Sequence, residues 1–529
     1  MLVKVPLARL AVEKLRSAGI TAAVALLLAI YVVLSVGASL HKGLSYDEGE
    51  QLAVGYNIWT NGDFRMEGAD GDLIKRWATL PYLISHPHAA PNTNDFWRNA
   101  AAYVFGYEFF FQSNNTPAWL LLQGRAMAVL IGAMTGLLVF YCSRELFGNL
   151  GGIFSLLLFV FSVNMLAFGA LVSTDMSACL MLLGSTWCVW RLLHRVTWGR
   201  LALSLVFASL LLLAKLSGAA IFPITLILIL IKLFSGRPLE WQLWRKRVIT
   251  SSVGQIGVFT GLLALHVLCA WVALWAHYDF RFSAKANAAD QNLLFTHYAR
   301  TDAVDERVAD FLDWVHDEHL LPEGFLQGVH TLLTTNESRG SFLDGQWNVE
   351  GNSDFFLKAF WYKTPPAILL LLCISLTGLV RGWRAGQMSA TTEGMAIGEV
   401  NSQSKLLYES MPYLVLIVVY LLIAVVQQVN IGHRLILPIY PPLFILIGGM
   451  VALIWFRAHW LMRGLVLLIL VWMPVEAMWI YPNYLAYFSP LVGGQEQGYR
   501  LLVDSSLDWG MDVPALKQWL EVNNPGNKV

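Results

Sequence analysis

The chain has 529 residues, of which 56% are hydrophobic and only 14% charged, with a mean hydropathy of +0.55 and 36 acidic residues balanced by 36 basic ones. A soluble globular chain carries about 25% charge, so an ordinary soluble domain is excluded. A net charge of zero with scattered basic residues gives no footing for nucleic acid. What remains is a polytopic membrane protein.

A membrane helix needs about 17–25 apolar residues. The N-terminus, "MLVKVPLARLAVEKLRSAGITAAVALLLAIYVVLSVGASL", has a basic leader and an apolar run too long for a signal-peptide core, with no small-residue cleavage site. It predicts a retained helix at 18–39, with Lys4, Arg9, Lys14 and Arg16 in the cytoplasm. Further helices are predicted at 118–141, 151–171, 176–193, 200–214, 217–234, 250–276, 364–381, 410–428, 435–456 and 461–480, which makes eleven, the 200–214 segment being short. The fold class is therefore an all-α polytopic bundle. Every short loop on the cytoplasmic side carries Lys or Arg: Arg144; Arg191, Arg195 and Arg200; Lys232, Arg237 and "RKR" at 245–247; Arg381, Arg384 and Lys405; Arg457 and Arg463. That bias fixes the expected orientation.

Residues 1–480 thus read as a transmembrane module with two long outer loops, about 42–116 and 277–360, and 481–529 as an outer tail. The first loop mixes aromatic and polar residues ("GYNIWTNGDF", "AAYVFGYEFFFQ"), which suits short amphipathic helices on the membrane surface. In the second, Val304, Val308, Phe311, Leu312 and Val315 recur at helical spacing. "DVPALKQWLEVNN" in the tail predicts another short helix, and 385–405, rich in Gly, Ser and Thr, predicts a flexible cytoplasmic linker. No repeat and no Gly-rich phosphate loop is present, so a pump driven by cytoplasmic ATP is excluded. Cys142, Cys179, Cys188, Cys269 and Cys373 fall in or beside apolar runs and read as small buried hydrophobes rather than disulfides or a zinc site.

One group of residues does not fit a purely structural pattern. Asp47 and Glu48 follow the first helix, Asp175 opens the fourth, Lys215 separates the fifth and sixth, Lys363 precedes the eighth, and His433 and Arg434 precede the tenth. All share one depth at the outer boundary, where ionisable groups commonly face a cavity. A carboxylate there can accept a proton from an attacking hydroxyl, and Arg or Lys can hold a phosphate. Each also has a bland reading. Asp47 and Glu48 can be a solvated flank, Asp175 a helix cap, Lys215 and Lys363 snorkelling side chains, and Arg434 an anchor.

Four stretches add a family likeness. "SYDEGEQLAVGYNIWTNGDF" (45–64), "STDMSACLMLLGSTWCVWR" (173–191), "NIGHRLILPIYPPLFILIGG" (430–449) and "YPNYLAYFSPLVGGQEQGYRLLVDSSLDWGMDVPALKQWL" (481–520) resemble, in order and sidedness, segments of the GT-C membrane glycosyltransferases, in the protein-mannosyltransferase and aminoarabinose-transferase branch. "FWYKTPPAILLLL" (360–372) is similar too.

The resemblance implies a GT-C-like bundle that moves a sugar from a polyprenyl-phosphate carrier to a hydroxyl on a protein, lipid or glycan, with inversion, at the outer (periplasmic) face. It makes Asp47 the candidate base, Glu48 and Asp175 its acidic helpers, and Arg434 the phosphate clamp, assisted by His433, Lys215 and Lys363. No cofactor follows from it. A divalent cation is compatible with carboxylates and His at a phosphate site, but no ligand spacing demands one and no metal ligand is assigned. Where many relatives carry His-Pro-Pro-Leu this chain reads "DGDL" (70–73), and where relatives continue past "LDWG" it stops at Val529, which implies either a shorter protein or a cut sequence. The sequons at 114–116 and 336–338 matter only in an endoplasmic-reticulum lumen; the tail is more similar to bacterial members, which implies a bacterial inner membrane. The rival readings are a transporter or flippase of a lipid-linked sugar, which calls for charges at mid-membrane depth, and a non-catalytic envelope scaffold.

Overall fold

The first long apolar run forms the helix Leu7–Ser39, and Ser45 then starts a second helix, Tyr46–Asn61, through a capping box in which the Glu48 carboxylate accepts from the Ser45 backbone N–H and Ser45 Oγ accepts from the Glu48 N–H. The computed structural model describes residues 7–66, 71–91, 95–285, 305–335, 340–385, 402–427 and 429–523. Asp70, Val304, the sequon at 336–338 and most of the 385–405 linker lie outside them. Among the described residues the chain is all-α apart from a three-stranded patch (Arg195–Val196, Leu239–Trp241, Arg247–Ile249) and a hairpin of Ser341–Leu343 with Gln346–Asn348.

Among the described residues, eight helices are long and apolar enough to cross a bilayer: Ser17–Ser39, Pro117–Val160, Thr174–His194, Leu216–Phe234, Ser252–His277, Ser404–Gln427, His433–Phe456 and Trp460–Ile480. Phe355–Lys363 and Pro366–Gly378 add a ninth span if they are taken together across a 107° bend, which falls at Pro365 and Pro366. The chain is a multi-pass membrane protein.

The expected eleven segments all fall on helix, with differences that have local causes. The loop expected at 142–150 is helical up to a break at Gly148, whose φ of +74° suits glycine, so two predicted spans share Pro117–Val160. The second of them is broken again before Val163–Gly169. The short fifth segment is Trp198–Ala214. The tenth begins as a 3-10 turn, His433–Ile439, which contains Pro438, before the α-helix Tyr440–Arg457.

Pro117–Val160 is the centre of the bundle and packs against Tyr440–Arg457 and the first helix. Gly448 and Gly449 let the first two approach closely: a Cβ on Gly448 would stand 2.4 Å from the Ser155 nitrogen. The cysteines depart partly from expectation. Cys142, Cys179 and Cys188 are buried, Cys269 is half-buried, and Cys373 is exposed on the bent span.

The long loops converge on one end of the bundle. The first does not simply lie along a surface: from Glu48 to Ile58 every residue of Tyr46–Asn61 is buried, because the helix is wedged between the short helices Asp72–Ala78 and Ala102–Tyr107. In the second loop, Glu306–Asp317 packs on Glu323–Thr335 through Leu312 and Val315, which meet Leu326, while Val308 and Phe311 remain exposed.

Candidate active site

Two turns of chain at the polar end hold the acids. Asp47 sits in the first turn of Tyr46–Asn61. Asp175 sits in the first turn of Thr174–His194, with Ser173 at the cap position, so Asp175 is not itself the cap. The Ser173 hydroxyl donates to Asp175 at 3.2 Å. Both cations come from helix junctions. Lys215 follows Trp198–Ala214 in extended conformation, and Arg434 lies in the 3-10 turn His433–Ile439.

These four side chains form one chain of charges. Lys215 Nζ donates to Asp175 Oδ1 at 2.7 Å. Arg434 Nη1 lies 3.8 Å from Asp175 Oδ2 and donates to Asp47 Oδ2 at 3.0 Å. Asp175 is enclosed, whereas Asp47, Arg434 and Lys215 keep side-chain exposures of 14%, 12% and 12%, so both ends of the chain of charges keep some exposure and the inner acid does not. The ring of Trp509 lies under the guanidinium, 4.0 Å from its carbon, and restricts the plane of the fork.

Glu48 has a different environment. It is fully buried, and Arg125 meets it with two hydrogen bonds, Nε to Oε1 at 2.8 Å and Nη2 to Oε2 at 2.6 Å. The Val172 amide donates to Oε1 at 3.2 Å. Arg125 also donates to the carbonyls of Ser39, Lys42 and Gly43. Burial pushes the Glu48 carboxyl up, but the Arg125 charge and these hydrogen bonds outweigh it and hold the group below its ordinary value. The pair therefore fixes the turn that carries Asp47. Arg125 was not singled out in the sequence, although a lone Arg inside an apolar helix is a signal for such a role.

Lys363 and His433 lie apart from the four-charge chain. Lys363 is buried, donates to the carbonyls of Leu485 and Ser506 at 2.8 and 2.6 Å, and sits over the Phe488 ring. The His433 backbone N–H donates to Ser506 Oγ, and its Nε2 lies 2.7 Å from the Tyr440 hydroxyl. Both hold the tail segment in place. The tail also pairs with the turn before Asp47: Gly43 N donates to Met511 O, Tyr46 N donates to Trp509 O, and Lys42 forms an ion pair with Asp512.

A second buried cluster occupies the place of "DGDL". Asp72 lies 3.3 Å from Lys75 Nζ and 3.0 Å from His277 Nε2, and it accepts from the Tyr278 hydroxyl at 3.4 Å. Burial raises its carboxyl, but Lys75 and His277 more than offset this, and the group lies below its ordinary value. Among the described residues, no three His, Cys, Asp or Glu side chains are grouped to hold a metal ion.

No protein-family model matches the chain, and no curated protein is significantly similar to it. Among solved structures it is similar to ArnT from Cupriavidus metallidurans in the apo state, with 13% identity over 82% of this chain and 76% of that one and a TM-score of 0.36. The structure of that protein bound to undecaprenyl phosphate is similar at 13% identity over 81% and 76%, with a TM-score of 0.34.

Proposed function

We propose that this chain is an integral membrane glycosyltransferase that moves a sugar from a polyprenyl-phosphate carrier to a hydroxyl of a protein, lipid or glycan, with inversion. The observation that carries the reading is the continuous contact Asp47–Arg434–Asp175–Lys215, assembled from four separate segments at the polar end of an apolar bundle. A merely solvated flank gives no reason for an Arg and a Lys to converge on two acids from distant parts of the chain.

The chemistry suits the geometry. Asp47, the more exposed acid, takes the proton of the acceptor hydroxyl as its oxygen bonds to the anomeric carbon. The bond from that carbon to the phosphate oxygen breaks on the opposite face, and the electron pair leaves with the phosphate. Arg434 is within reach of that developing charge, with Lys215 behind it. Asp175 holds both cations, and Glu48 with Arg125 positions the base. Lys363 and His433 act through the tail rather than on the phosphate. The sequence resemblance to GT-C enzymes and the basic short loops support a periplasmic site in a bacterial inner membrane with the N-terminus in the cytoplasm.

The test is sugar release from radiolabelled polyprenyl-phosphate hexoses by purified protein, compared with Asp47→Asn and Arg434→Ala. Turnover lost in both folded variants is the expected result. Donor bound but never cleaved, across sugars and acceptor extracts, would point instead to a lipid-sugar carrier.

A further inference from the structure

The helix Val513–Asn523 follows the tail strap and packs on almost nothing: it has no buried residue. Its sequence is nevertheless strongly two-sided. At 100° per residue Val513, Ala515, Leu516, Trp519, Leu520 and Val522 share one half of the helix with the terminal Asn523, and Pro514, Lys517, Gln518 and Glu521 lie on the other. Lys517 and Glu521 pair along the polar side. Trp519 is 59% exposed and Val522 77%. An apolar helical face left wholly in water is unfavourable, by about 25 cal/mol for each Å².

Its position identifies what covers that face. Lys42, three residues beyond the span Ser17–Ser39, pairs with Asp512 and donates to Asn483, three residues beyond the span Trp460–Ile480. The helix therefore starts where two membrane helices end. At that level Trp479 is 84% exposed on the second span, as aromatic residues are at a membrane boundary. A two-sided helix with a Trp in its apolar half, held at that depth, has the character of a surface-lying anchor.

We propose that Val513–Asn523 lies in the headgroup layer at the polar end, with Leu516, Trp519 and Leu520 turned into the lipid. The strap 509–512 is then held from both sides, by its backbone pairing to Gly43 and Tyr46 and by the bilayer, which keeps Trp509 beneath Arg434.

The test uses the full chain in liposomes, in a background with Cys269→Ser and Cys373→Ser. Single cysteines replace Leu516, Trp519, Lys517 or Glu521 and carry an environment-sensitive dye. The expected result is a blue shift and strong quenching by lipid-borne nitroxide at 516 and 519, with quenching by a water-soluble agent at 517 and 521. Equal access of the water-soluble agent to all four positions overturns the proposal. So does protection of 516 and 519 from both quenchers, which would mean that protein rather than lipid covers the face. The surface position 498–500, outside this helix, supplies a folded control through Tyr499→Cys.

Discussion

Arg434 stands between two acids, with Nη1 3.0 Å from Asp47 and 3.8 Å from Asp175. One guanidinium thus links the most exposed acid of the cluster to the most buried one, while Lys215 balances Asp175 from the other side. The proposed phosphate and Asp47 would draw on the same fork, so phosphate entry loosens the hold on Asp47 as it brings the sugar in. This makes the shape of the cation as important as its charge.

Arg434→Lys keeps the charge but loses the planar fork and its stack on Trp509. One ammonium cannot reach a phosphate and two acids in the same geometry. Turnover with a polyprenyl-phosphate sugar is expected to fall about tenfold to a hundredfold, the worth of one hydrogen bond to a charged group. Full activity in Arg434→Lys would mean that only a diffuse positive charge is needed.

Arg125→Met leaves the Glu48 carboxylate buried without its cation. Breaking such a pair from one side costs about 3–5 kcal/mol, so the purified variant should unfold at clearly lower temperature. Glu48→Gln combined with Arg125→Met removes both charges and should recover part of the loss. The comparison is made by thermal unfolding in detergent. Equal stability of Arg125→Met and the parent would contradict a positioning role for the pair.

The contrast between Arg125 and Asp47 shows what was readable in advance. Span number and the location of the polar mass follow from apolar run length, which depends only on composition over about 20 residues. The four-charge chain was legible as a shared depth, because every second junction between successive membrane helices returns to the same boundary. The partners were not. Which cation meets which acid depends on how helices rotate and pack, and sequence spacing is silent on that. Lys363 shows the limit: it is expected at the same boundary as Arg434, yet it is spent on the carbonyls of Leu485 and Ser506. The helix through 142–147 was missed because Arg144 and Glu145 resemble loop residues, although both are compatible with a helix whose end leaves the membrane. Burial of Tyr46–Asn61 was missed because its aromatic and polar residues look interfacial until Asp72–Ala78 and Ala102–Tyr107 are packed around it.

Acid should unfold the polar end through Glu48 and Asp72. Both carboxyls lie below their ordinary values, 4.5 and 3.8, in the folded chain. Their stabilisation is therefore complete above those values and is lost as pH falls below them, since the unfolded chain then binds protons that the folded chain does not. Stability is expected to stay level in this respect down to about pH 4.5 and to decline below it. Unfolding temperatures across pH 3–7 check this, about the ordinary carboxylate range. The Glu48→Gln, Arg125→Met double variant should show a shallower acid decline than the parent, and an unchanged decline would remove Glu48 from the explanation.

Trp509→Leu isolates the stack from the charge. The indole covers one face of the Arg434 guanidinium at 4.0 Å and is itself almost fully buried, so it limits the fork to orientations that meet Asp47. Leucine preserves much of the apolar contact but offers no π face. A stack of this kind is worth about 0.5–2 kcal/mol, so donor affinity or turnover should weaken by about twofold to thirtyfold. Trp509→Phe restores a ring and should recover a large share, whereas a residue acting only as filler would be served equally by Leu and Phe. The distinguishing measurement is the ratio of kcat/KM in the two variants with the same polyprenyl-phosphate sugar. A ratio near one assigns Trp509 to packing, and a ratio well above one, with both variants equally stable, assigns it to orienting Arg434.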